Sequence, residues 1–141
     1  MYEDIKQRLR NYKKILAKRN EYELQIKELE EDIGITEPPQ GEATGKTYKI
    51  SSVSENQAIE LAEKKLRLQE LININQKEID HIQNALSGLR EWERQAIELR
   101  FVEERRIESV CYIMNRAKKT INKYIANGLK EMHEILKDDI A

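Results

Sequence analysis

The run Ile107-Glu108-Ser109-Val110-Cys111-Tyr112-Ile113-Met114-Asn115-Arg116-Ala117-Lys118-Lys119-Thr120-Ile121-Asn122-Lys123 reads as a short helix, a three-residue turn and the opening of a second helix. Val110 and Met114 give the first helix an apolar stripe, small Cys111 suits a close approach, and Ile121 with Tyr124 continue the stripe on the second. Asn115 stands at the turn, where a left-handed backbone is needed and Asn is tolerated better than most residues. The second helix runs on to about Lys137. Upstream, Arg90 to Glu103 carries Trp92, Ala96, Ile97, Leu99, Phe101 and Val102, which predicts one compact helix with a wide apolar face. Together these segments have the spacing of a three-helix helix-turn-helix domain.

Other helical hairpins share that spacing, and charge separates them. Between Arg105 and Lys130 there are seven basic residues against Glu108 alone, a local balance of +6. A basic cluster at the start of a second helix is the footprint of lysines meeting phosphates and base edges. Asn122 has the paired donor and acceptor that match an adenine edge, and lysines donate to guanine. The expected DNA-contacting set is Arg105, Arg106, Arg116, Lys118, Lys119, Thr120, Asn122 and Lys123. A solvated basic face on an ordinary helix is the competing explanation of the same charges.

Further out, Gly34, Gly41, Gly45, Pro38 and Pro39 crowd one region, leaving only Gly88 and Gly128 elsewhere. Residues 34–53 therefore read as a linker with helix on each side, longer than the ~12–15 residues usual inside a compact domain. Before it, a seam of alternating four- and three-residue steps runs Met1, Ile5, Arg8, Tyr12, Ile15, Arg19, Tyr22, Ile26, Leu29, Ile33, the mark of a long coiled-coil type helix over residues 2–32. After it, Ser54-Glu55-Asn56-Gln57 has the form of a capping box. The next seam runs Ser54, Ala58, Leu61, Lys65, Leu68, Ile72, Asn75, Ile79, Ile82, Leu86. The two stripes are buried most simply against each other, as an antiparallel hairpin. Lys65 and Asn75 interrupt the second stripe, where polar residues commonly set register. The expected architecture is thus all-α: a long antiparallel helical hairpin over residues 1–87, then a helix-turn-helix domain over 88–141.

Composition bounds the function. The chain has 141 residues, 36% charged and 6% aromatic, with a net charge of -1. That near-neutrality is a sum of segregated blocks: residues 1–19 hold seven basic and two acidic groups, and residues 20–33 hold one basic and six acidic. One cysteine excludes an internal disulfide and suits a reducing compartment. No apolar run approaches the ~18 residues of a membrane span, and the charged start lacks a signal peptide's apolar core, so a soluble, cytoplasmic protein is expected. His81 and His133 have no second ligand at metal spacing, and pairs such as Glu30-Glu31 suggest solvated helix ends rather than acid/base catalysis. Gly41-Glu42-Ala43-Thr44-Gly45-Lys46-Thr47 falls one residue short of the phosphate-loop spacing and follows no apolar strand. Neither an enzyme nor a cofactor or metal is expected.

The stretch Leu89-Arg90-Glu91-Trp92-Glu93-Arg94-Gln95-Ala96-Ile97-Glu98-Leu99-Arg100-Phe101, followed by Arg106 to Met132, resembles the fourth conserved region of bacterial sigma factors. In that family a Leu-Glu-Glu-Ile-Ala helix precedes a recognition helix opened by Ser or Thr. Ile107-Glu108-Ser109-Val110-Cys111 matches the former and Lys118-Lys119-Thr120-Ile121-Asn122-Lys123 the latter. The resemblance implies major-groove contact with an upstream promoter element, with Lys118, Lys119 and Lys123 at base-reading positions and Asn122 and Arg116 near the backbone path. Ser109 replaces the second Glu, Asn115 the turn Gly, Arg116 an apolar residue and Ala117 the helix-capping Ser or Thr. The family's melting helix, rich in aromatics, has no counterpart. The whole layout is similar to small phage and prophage late-transcription regulators of the ArpU and RinA kind, which implies a DNA-binding activator of late or packaging genes in a bacterial host. Its partners would be double-stranded DNA and, if it bridges, RNA polymerase, with a homodimer through the long helices open. Two alternatives remain: a small terminase-like packaging or structural coiled-coil protein that binds DNA, and an adaptor that touches polymerase without DNA.

Overall fold

Alternating apolar steps of four and three become two long helices in the computed structural model, which describes residues 1–33 and 55–140. Helix α1 spans Glu3–Ile33 and α2 spans Glu55–Ser87. The expected linker at 34–53 and the Ser54 hydroxyl of the capping box lie outside the described residues. Then follow α3, Glu91–Ile97, a π-helical turn, Glu98–Val102, α4, Ile107–Met114, and α5, Lys118–Ile140. The described residues are all-α, with no strand among them.

Two compact units form, one from Met1–Leu16 with Lys77–Ala141, the other from Ala17–Gln76. A division at residues 87 and 88 puts both long helices in one body. The packing instead assigns the first turns of α1 and the last turns of α2 to the body that holds α3, α4 and α5. The reason is apolar. Ile5 and Leu9 are fully buried in one cluster with Ile82, Ala85, Leu86, Ile97, Phe101, Leu129, Met132 and Leu136. Leu9 is not in the seam; it is one turn on from Ile5, and a helix packed on two sides buries a wider arc than a coiled-coil stripe.

Within this first unit the early part of α1 packs along the end of α2. Arg8 donates through Nε to Glu78 Oε2 at 2.9 Å and through Nη2 to Glu78 Oε1 at 2.7 Å, a two-bond fork with both side chains more than half buried. Gln83 donates to the Tyr12 hydroxyl at 2.9 Å. A seam arginine is thus matched across the pair rather than left in an apolar stripe.

In the second unit the remainder of α1 and the start of α2 are antiparallel, residue 19 meeting residue 76 and residue 30 meeting residue 65. Arg19 Nη1 donates to Gln76 Oε1, and Lys65 Nζ lies 2.7 Å from Glu30 Oε1. Lys65, one of the two interruptions in the second stripe, therefore has a cross-helix carboxylate partner. Leu61, Leu68 and Ile72 face inward on α2, while Leu24, Ile59, Leu66 and Ile74 remain exposed.

The segment expected as one helix from Arg90 to Glu103 changes its winding part-way. α3 ends at Ile97, and the next turn closes five residues back, the Glu103 N–H donating to the Glu98 carbonyl at 2.9 Å. The Arg105 N–H reaches the Leu99 carbonyl at 3.0 Å. A wider turn of this kind is uncommon and is found mostly as a single bulge near functional sites. Trp92, read as part of the apolar face, is about half exposed, its ring centroid 6.4 Å from that of Tyr124.

Candidate nucleic-acid interface

The turn between α4 and α5 is set by Asn115. Its backbone sits at φ 54°, ψ 51°, the left-handed region, as its residue type predicts. The Asn115 N–H donates to the Tyr112 carbonyl at 3.3 Å and the Arg116 N–H to the Cys111 carbonyl at 3.1 Å. These two bonds are those of a Schellman stop, which satisfies the last free carbonyls of a helix. The motif usually packs an apolar residue where Arg116 stands. Here Arg116 is exposed, and its Nη1 donates to the Asn115 carbonyl at 3.2 Å.

α5 starts without a side-chain cap from Ala117, whose methyl has no acceptor. The Ala117 carbonyl accepts the Ile121 N–H at 3.0 Å. The first turn holds Lys118 and Lys119 and no acidic residue. A helix start favours negative charge, so two cations there are held against the local field. Val110 and Ile121 are fully buried and seat α4 on α5. Lys119 and Lys123, four residues apart, share an exposed face of α5.

The eight candidate residues are not equivalent. Among the described residues Arg106, Arg116, Lys118, Lys119 and Lys123 have no carboxylate partner, whereas Arg105 is 3.0 Å from Glu103. Thr120 is half-buried and lies two residues from Lys118 and from Asn122, about 200° around the helix, so it faces another flank. Lys118 and Asn122 border a groove of about 390 Å³.

The opposite wall of that groove was not among the expected contacts. It is built by Lys6 and Arg10 of α1 and by Arg100 of the π-helical turn, over a floor that includes Phe101, Ile125 and Leu129. The guanidinium carbons of Arg10 and Arg100 lie 5.7 and 5.8 Å from the Phe101 ring centroid, within cation–π range. Lys6, hydrogen-bonded to Glu3 at 3.3 Å, holds the Glu3 carboxyl below its usual 4.5. Tyr2 also lines the groove, and its ring meets that of His133 at 5.2 Å. The sequence signal for this wall is the basic block of residues 1–19; which of its residues meet α5 depends on tertiary packing.

No family model, curated protein or solved structure matches the chain. Among the described residues no cluster of His, Cys, Asp and Glu could hold a metal ion, and no helix is long and apolar enough to cross a membrane.

Proposed function

We propose that the chain is a DNA-binding regulator of transcription that lays α5 in a major groove, in the cytoplasm of a bacterial cell. The observation that carries this reading is the pair α4 and α5. They are joined by a left-handed Asn115 turn, and α5 exposes Lys118, Lys119, Asn122 and Lys123 with none of the three lysines ion-paired among the described residues. Unpaired cations and uncapped N–H groups at a helix start are suited to phosphate oxygens. Lys123 and Asn122, one turn in, are suited to base edges. The resemblance to the sigma factors' fourth region and to phage late regulators narrows the proposal to activation of late or packaging genes. Exposed Leu24, Ile59, Leu66 and Ile74 support self-association through the long helices. A symmetric dimer would then read half-sites about one helical turn apart.

The test is duplex binding over a salt series with promoter fragments. Specific binding is expected to weaken with salt by a log–log slope of about 0.9 per phosphate neutralised. Joint Lys119→Ala and Lys123→Ala replacement is expected to lower affinity at least tenfold. Binding with neither salt dependence nor sequence preference would sink the reading. Mass in solution separates the regulator, a monomer or dimer, from a packaging ring of many subunits.

A further inference from the structure

We infer that the groove between α1 and α5 seats a sugar–phosphate unit, so that α1 forms part of the DNA interface. This rests on the proposed function for the source of that unit, a strand of the duplex that α5 reads. Lys6, Arg10, Arg100 and Lys118 converge on one groove, Asn122 stands at its rim, and no Asp or Glu lines it. Arg10 and Arg100 flank a single phenyl ring, Phe101, and among the described residues neither has a carboxylate partner. Like charges gathered in this way oppose folding unless an anion joins them.

The floor decides which anion. Phe101, Ile125 and Leu129 make it apolar, a surface that wastes the hydration of a bare inorganic ion but covers the face of a deoxyribose. Arginine forks and a lysine at the rim then match the phosphate oxygens on either side. The groove also adjoins the reading face. On α5, Lys118, Asn122, Ile125 and Leu129 follow steps of four, three and four, a single stripe. Lys119 and Lys123 lie on the next stripe, exposed and outside the groove, while Ala126 lines it beside Asn122. Asn122 lies between the groove and that exposed side, so a strand whose bases meet Lys119 and Lys123 has its backbone carried toward Lys6 and Arg10. The Glu3 side of the Glu3–Lys6 pair is exposed while Lys6 is half-buried, so a phosphate can reach Lys6 by displacing a solvated carboxylate.

The experiment compares wild type, a Lys6→Gln/Arg10→Gln double variant, and Lys14→Gln with Lys13→Gln as a control of equal charge on the same helix. Each is titrated with a mixed-sequence duplex at several salt concentrations and, separately, with deoxyadenosine 5′-monophosphate while the arginine Nε resonances are followed. The double variant is expected to lose about 0.9 of log–log salt slope per phosphate contact relative to the control, and the mononucleotide to shift the Arg10 and Arg100 signals in wild type. Arg10→Lys, which keeps the charge, is expected to restore most of the slope and separates loss of charge from loss of packing on Phe101. Equal slopes for the double variant and the control, with duplex binding intact, overturn the inference and leave the proposed function standing. No duplex binding by wild type, with shifted arginine signals, overturns the proposed function and assigns the groove to a free nucleotide. Neither duplex binding nor shifts overturns both.

Discussion

Asn115 does at one position what glycine does in most helix stops. Its left-handed backbone lets two N–H groups reach back to α4, and a β-carbon there is tolerated because the short amide adds little bulk. Asn115→Ala is expected to lower stability by about 1 kcal/mol and Asn115→Gly to match or slightly exceed the native protein. Thermal unfolding followed by circular dichroism would show this as a drop of a few degrees for Ala only. Equal loss in both variants would mean that the side chain, not the backbone, holds the turn. This turn was legible because its residue advertises it. Glu104, with φ 54° in the approach to α4, was not, since nothing in a glutamate marks a left-handed position; there, the bonds on either side over-determine the conformation. Arg10 and Arg100 were illegible for a related reason. Their partner is a shared phenyl ring, distant in sequence from one of them.

Among the elements, the two long helices were readable almost to their ends, because stripes at steps of four and three have one simple reading. The π-helical turn after Ile97 was not. Its apolar residues fit an α-helix equally well, and the wider winding shows only in the backbone bond from Glu103 to Glu98. α3 packs tightly on α5 at Gly128, where a β-carbon would strike the Cδ1 atom of fully buried Ile97 and crowd its Cγ1. Alanine in a helix gains up to ~1 kcal/mol over glycine, but overfilling a packed core costs ~1–3 kcal/mol. Gly128→Ala is therefore expected to destabilise by about 1 kcal/mol and Gly128→Val by more, read as a lower urea midpoint at unchanged slope. A stabilised Gly128→Ala would show that Ile97 can turn aside at little cost. Loss of DNA binding with stability intact is not expected, since Gly128 lies on the buried face of α5.

At the scale of the whole molecule, the net charge of -1 conceals a basic collection point. The positive block at the start of the chain and the positive block of α5 are far apart in sequence, and Lys6 and Arg10 share a groove with Lys118. The same folding makes the unit that holds α3, α4 and α5 discontinuous, with Met1–Leu16 completing what Lys77–Ala141 begins. Leu9→Ala, a change on the first helix, is expected to destabilise this unit by about 2–5 kcal/mol. Emission from Trp92, the sole tryptophan, would report it as an earlier unfolding transition. Unaltered Trp92 unfolding would mean that the first helix is dispensable to α3, α4 and α5. A discontinuous unit also has a history on the ribosome. Ile5 and Leu9 are made before most of their partners, which lie beyond residue 77. At about 5–20 residues per second, they wait roughly 3–14 seconds or longer for that segment to be synthesised. During that interval the basic residues between 1 and 19 are bare to the anionic surface of the ribosome, and Ile5 and Leu9 are bare to chaperones.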